Sequence, residues 1–206
     1  MSPRMTLDRG VAMSRVQVGD VLRPRSLTTI RSERVSIPDD EGLVHLQFRR
    51  YAGCPVCNLH LRSVARRHEE ILAAGIREIV VFHSSAEALE PYQGDMPFAV
   101  IPDPNRGLYA EFGVERSRRA LLDPRTWWAA LRGVLRRRNP LPTEGESING
   151  LPADFLIGVD GRVLARKYGV HADDQWSVDE LLGLAAVATR RDPGGPLAIS
   201  STGGKD

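Results

Sequence analysis

The chain has 206 residues, 26% of them charged and 42% hydrophobic, with a formal net charge of +2. That length supports one well-packed domain with extra arms, or two very small domains. A charge so close to neutral gives no bulk electrostatic reason to expect a nucleic-acid or membrane partner. Of the 28 basic residues only Lys167 and Lys205 are lysine, a bias that by itself carries little functional weight.

Residues 1–17 read as a flexible leader without the continuous apolar core of a secretory signal. The longest apolar run, Leu181–Ala188, is amphipathic and too short to span a bilayer. The expected location is therefore the cytoplasm, where a C-x-x-C pair is reactive or metal-binding more often than it is a structural disulfide.

From Val18 onward, VGDVLRPRSLTTIRSERVSI alternates short β-prone pieces with turns and predicts a small hairpin. Val44–Arg49 (VHLQFR) reads as a buried strand running into the cysteine turn. A single helix is then expected from Pro55 to Ala74, closed by Gly75, with Pro55 at the first helical position where its missing N–H costs nothing. Cys57, Leu61, Val64, Ala65, His68, Ile71 and Leu72 fall on one continuous face of it. Ile76–His83 (IREIVVFH) predicts a second strand, parallel to the first through the intervening helix.

A short helix near Ala86–Tyr92, the segment FAVIPD and a helical turn around Leu108–Phe112 follow. Pro152–Val159 and Arg162–Gly169 form a hairpin across Asp160–Gly161. Ser177-x-x-Glu180 is a capping box that opens a last helix to about Ala188. Residues 189–206 are turn-rich and expected to be disordered. Between these pieces, residues 115–149 hold eight arginines. Asp123–Pro124 starts a predicted helix there, with Trp127, Trp128, Leu131, Val134 and Leu135 on one broad face.

The two cysteines, Cys54 and Cys57, stand at the entrance of the first helix. The attacking species is the thiolate, and a helix N-terminus favours it through unpaired N–H groups and the macrodipole. Arg49 and Arg50 add positive charge just upstream. Cys57, one turn along, can attack the Cys54 sulfur once that is oxidised or in a mixed disulfide. Two other readings stand beside this one: a metal site using Cys54, Cys57 and His60, which lacks a second ligand pair, and two unreactive thiols. Redox chemistry suits the position of the pair at a strand-to-helix junction.

The hairpin, strand, CPVC, long helix and VVFHSS together resemble the thioredoxin fold. The order, with IPDPNRGLYAEFGV and GLPADFLIGVDGRV, is similar to the peroxiredoxin-like branch of the AhpC/TSA (alkyl hydroperoxide reductase/thiol-specific antioxidant) family. The resemblance implies an α/β fold, a central mixed sheet flanked by helices, over residues 18–188. An N-terminal β-hairpin extension and the arginine-rich helical insertion 115–149 decorate it. By the same resemblance Cys54 matches the nucleophilic cysteine and Cys57 the second cysteine of the pair. Pro152 matches a proline that in such folds is cis and faces the disulfide, with Leu151 offering backbone groups to an extended substrate. The chain departs from its relatives at Tyr51, where peroxiredoxins carry Thr or Ser, and at Gly53, where thioredoxins carry Trp.

Topology also sends His83, His171, Asp173 and Asp174 to the Cys54 edge of the sheet, where His83 or His171 could transfer protons and where the bland reading is that they cap turns. Arg50 and Tyr51 are candidates for supporting the substrate. His68 is expected to be a core histidine, and nothing distinguishes His45.

The expected function is thiol-dependent reduction of hydroperoxides, through a Cys54 sulfenate resolved by Cys57, with a thioredoxin-type reductant and no metal or organic cofactor. A thioredoxin-like disulfide reductase is the alternative within the same class. From another class comes a redox-silent or redox-sensing binding protein that uses the arginine-rich arm. That arm also reads as a lid or a homodimer contact ahead of a membrane or nucleic-acid contact.

Overall fold

In the computed structural model, residues 15–114 and 150–191 are described; the arginine-rich segment with Trp127 and Trp128, the leader to residue 14 and the tail from residue 192 lie outside them. The first elements are strands β1 (Arg25–Thr28) and β2 (Arg34–Ile37), which pair antiparallel as the expected hairpin. A five-stranded sheet follows, built from β3 (Leu43–Phe48), β4 (Ile76–Phe82), β5 (Ala99–Pro102), β6 (Ala153–Ile157) and β7 (Val163–Tyr168). Its order is β5-β4-β3-β6-β7. β3 runs parallel to β4 and β4 to β5, whereas β6 is antiparallel to both β3 and β7. This mixed sheet with flanking helices is the expected fold.

Every residue of β3 is buried, because the central strand is covered on both faces. Val44, Leu46 and Phe48 face one way, into a core with Ile79, Val81, Phe155, Tyr109 and Phe112. The period of two sends His45 and Gln47 to the opposite face. That second face is covered by helices α1 (Pro55–Arg66), α2 (His68–Ala73) and, at the end of the chain, α5 (Val178–Arg191). Its core contains Cys57, Leu61, Val64, Ile71, Val80, Leu156 and Leu181. Two short helices complete the set among the described residues, α3 (Ala86–Gln93) and α4 (Gly107–Glu111).

The helix expected to run unbroken from Pro55 to Ala74 is two helices. Arg67 leaves helical geometry at φ −112° and ψ 19°, and its guanidinium bridges Glu70 and, at 2.6 Å, Asp179 of α5. Past the break Ile71 lies in the core, whereas Leu72 faces outward and is 44% exposed. His68 is only part-buried, with its ring edge-on to Phe98 at 5.8 Å.

The capping box is present: Ser177 N donates to Glu180 Oε2 at 2.7 Å and Glu180 N to Ser177 Oγ at 3.2 Å. The N-terminal extension reaches both outer edges of the sheet. Ile30 N donates to Val100 O of β5, while at β7 Gly19 N donates to Val163 O and Val163 N donates to Asp20 O. Partnered edges present fewer open backbone groups to a foreign strand.

Candidate active site

The buried strand β3 ends at Phe48, and residues 49–53 turn the chain into α1. Cys54 is the N-cap residue of α1 and Pro55 its first helical position. In that place the Cys54 Sγ accepts a hydrogen bond from Cys57 N at 3.5 Å. Arg50 Nη1 approaches the same sulfur to 3.7 Å. Both sulfurs belong to fully buried residues and neither is in a disulfide.

Burial alone would push the Cys54 thiol up. The hydrogen bonds from Cys57 and the Arg50 charge outweigh it and lower its pKa to about 6. Cys57 moves the opposite way, well above the usual thiol range, because burial and the neighbouring Cys54 both disfavour a second anion. One thiol is thus set up as thiolate and the other as proton-bearing partner.

The chain around the pair is held from several sides. Tyr109 of α4 shares its hydroxyl between the carbonyls of Arg49 and Val81, the latter at 2.9 Å, bracing the ends of β3 and β4 together. Tyr51 O accepts from Cys54 N at 3.0 Å. The Arg50 guanidinium lies 5.7 Å from the centre of the Tyr51 ring. His83 follows β4 with its ring edge-on to Tyr109 at 5.7 Å. Gly150 comes so close that a Cβ there would lie 3.6 Å from both Arg50 Cγ and His83 Cε1. Arg50, Tyr51, His83 and Gly150 therefore gather at the Cys54 end of the sheet.

The start of β6 and the end of β7 lie at the same end of the sheet, Phe48 standing opposite Ala153 and Ala153 opposite Tyr168. The Leu151–Pro152 bond is trans; the one cis peptide among the described residues is Ile37–Pro38. Pro152 leads straight into β6, its carbonyl accepting from Gly169 N at 2.9 Å, with the X–Pro bond in its ordinary, lower-energy isomer. Leu151 beside it is buried. His171 accepts from Asp173 N at 3.3 Å, and Asp174 caps Val170 N and pairs with Lys167 at 2.8 Å. These three residues shape their own turn.

Sequence reasoning missed a buried ionic network under α1. His45 Nδ1 lies 2.9 Å from Glu78 Oε2, and its Nε2 lies 3.3 Å from Asp154 Oδ1. The same Asp154 oxygen accepts from Arg49 Nη2 at 2.7 Å. Gln47 bonds both Glu78 and Arg49. Arg49 Nη2 also lies 3.3 Å from His60 Nε2, so the third member of the metal reading faces a guanidinium. Burial opposes charge on His45, but Glu78 and Asp154 outweigh it and raise its pKa to about 9. For Asp154 burial is likewise overcome, by Arg49 and His45, and its carboxyl is held far below the usual range. Burial and then the Arg49 charge press His60 down to about 3, keeping it neutral. The available signal was β3 itself, where the apolar strand pattern is broken by His45, Gln47 and Arg49, all on one face.

A sequence model described as AhpC/TSA antioxidant enzyme matches residues 63–171, just over half of the chain. The chain belongs to the AhpC/TSA family. It is accordingly an oxidoreductase, and its thioredoxin-like fold is shared with solved peroxiredoxins. The structure of peroxidoxin BcpB from Mycobacterium tuberculosis superposes with a TM-score of 0.61 at 15% identity, covering 82% of this chain and 96% of that one. For peroxiredoxin 6 of Arenicola marina the TM-score is 0.64 at 15% identity, with coverage of 85% and 75%. The reduced 2-Cys peroxiredoxin of Plasmodium vivax gives 0.63 at 11% identity, with coverage of 86% and 84%. No curated protein matches. The AhpC/TSA match begins after Cys57, so the cysteine pair rests on the site geometry rather than on the family pattern. Among the described residues no helix of this AhpC/TSA member is long and apolar enough to cross a membrane.

Proposed function

We propose that the protein is a thiol peroxidase that works through both of its cysteines. The observation that carries this reading is the Cys54 sulfur at the N-terminus of α1, within 3.7 Å of the Arg50 guanidinium and bonded by Cys57 N. The Cys54 thiolate attacks the outer oxygen of a hydroperoxide. An S–O bond forms, the O–O bond breaks, and the alkoxide leaves to take up a proton as alcohol. Arg50 stabilises the thiolate and faces the charge that moves onto the oxygens. Tyr51 stands where relatives carry Thr or Ser and supports the bound peroxide, and His83 moves the proton at the leaving oxygen.

Cys57 then attacks the Cys54 sulfenic acid. A disulfide forms, hydroxide leaves, and the Cys57 proton completes a water molecule. Two reducing equivalents from a thioredoxin-type dithiol restore both thiols. No metal or organic cofactor enters this cycle. A disulfide reductase remains the second reading, favoured by the placement of both sulfurs within one helical turn, where they can exchange with a substrate disulfide.

The test counts free thiols with time after one equivalent of hydrogen peroxide is added to reduced protein. The expected result is rapid loss of both thiols, abolished in Cys54→Ser and halted at a trappable sulfenic acid in Cys57→Ser. Oxidation as slow as that of a free cysteine, with rapid reduction of an insulin disulfide, would transfer the assignment to disulfide exchange.

A further inference from the structure

Ala52 contributes only a methyl group, yet both of its peptide groups are held by side chains from other parts of the fold. Ser84 Oγ, just past β4, accepts from Ala52 N at 2.9 Å. Asn58 of α1 donates Nδ2 to Ala52 O at 3.1 Å. Gln93, the last residue of α3, donates its Nε2 to Asn58 Oδ1 and thereby fixes which way the Asn58 amide faces. Ser84, Asn58 and Gln93 are all buried. Buried amides and hydroxyls are costly unless partnered, so convergence on one alanine is a built arrangement.

The two bonds act on different peptide planes. The Ala52 N–H belongs to the Tyr51–Ala52 peptide and the Ala52 carbonyl to the Ala52–Gly53 peptide, so both planes flanking the Ala52 Cα are pinned. Gly53 alone then separates a fixed plane from Cys54. Asn58 also sits directly after Cys57, and its N–H bonds Cys54 O at 3.0 Å. Its side chain therefore ties the first turn of α1 back to the incoming loop, spanning the cysteine pair.

We propose that Asn58, Ser84 and Gln93 are positioning residues for the nucleophile, holding the Ala52 peptide planes so that Cys54 Sγ stays on the helix N-terminus and beside Arg50. This rests on Cys54 being the attacking cysteine. It assigns the CPVC loop a three-residue brace drawn from α1, the end of β4 and α3.

The experiment follows alkylation of the reduced full-length protein by iodoacetamide between pH 4 and 10, with the labelled cysteine identified by peptide mass spectrometry and thermal unfolding recorded in parallel. Asn58→Leu and Ser84→Ala are expected to shift the Cys54 labelling midpoint upward by about one pH unit, roughly a tenfold loss of thiolate at a pH below the midpoint. Ser84→Thr keeps the acceptor and should retain the wild-type midpoint. Gln93→Met, which acts on Ala52 only through Asn58, should shift it in the same direction by less. Should Asn58→Leu fail to fold, the contrast between Ser84→Ala and Ser84→Thr decides the matter. Midpoints unchanged in every folded variant, with only the melting temperature lowered, would overturn the brace. Labelling of Cys57 ahead of Cys54 in the wild-type protein would instead overturn the cysteine assignment, a separate result.

Discussion

Arg49 Nη2 and Asp154 Oδ1 meet at 2.7 Å with neither side chain exposed to water. One is the first residue after β3, where the cysteine loop begins, and the other lies on the antiparallel neighbour β6. Breaking such a pair from one side leaves an uncompensated buried charge, whereas replacing both partners by apolar groups is much less costly. Asp154→Ala should therefore destabilise by about 3–5 kcal/mol. The double variant Arg49→Met, Asp154→Leu should recover a large part of that loss. Urea unfolding of the three proteins at pH 7 checks this; equal stability of the single and double variants would contradict it.

His45 connects the same Asp154 to Glu78, and its raised pKa has a definite sign in stability. The folded-state value of about 9 exceeds the ordinary 6.5, so the folded protein holds the proton more tightly. The stabilisation is complete below about pH 6.5 and is lost as pH rises through 9. Its full size is on the order of 3 kcal/mol. Unfolding midpoints measured from pH 6 to 10 should fall across that window. In His45→Gln the fall attributable to this site should vanish.

Cys54 carries its own pH signature. With a pKa of about 6, its alkylation rate should rise through pH 6 and be nearly level by pH 7.5. Arg50→Met removes the cation at 3.7 Å and should move that midpoint up by about 1–3 units. A rate profile of the variant superimposable on wild type would mean that Arg50 does not act on the thiolate.

Gly169 has no room for a side chain. A Cβ there would lie 2.6 Å from Asp174 O and 2.7 Å from Pro152 Cγ, and one of those contacts is backbone. Gly169→Ala should destabilise by about 1–3 kcal/mol through overpacking. Thermal unfolding of the variant beside the wild type checks this; an unchanged melting temperature would contradict it.

Much of the framework is legible in local sequence signals. Strand patterns rich in apolar residues at Val44–Phe48 and Ile76–Phe82, Pro55 at a helix start, and the Ser177–Glu180 capping box each act over a few residues, so pattern reading places them well. The break at Arg67 escapes that reading because its guanidinium is drawn toward Asp179, a residue distant in the sequence. A periodic apolar face extrapolates straight through such a break. His45 escapes for a related reason, since nothing in VHLQFR announces the carboxylates of Glu78 and Asp154 on either side of it.

By itself the sequence determined that a thiol pair would stand at a strand-to-helix junction, with Cys54 at the helix entrance and Cys57 one turn inside. Helix geometry and the macrodipole act within four residues and need no tertiary information. Only the tertiary structure decided which partners reach that junction: Arg50 beside the sulfur, Ser84 and Asn58 on Ala52, and the ion pairs beneath α1. Those contacts join residues separated by up to about a hundred positions, and their strength depends on exclusion of water, a property of the packed fold and not of any local stretch of chain.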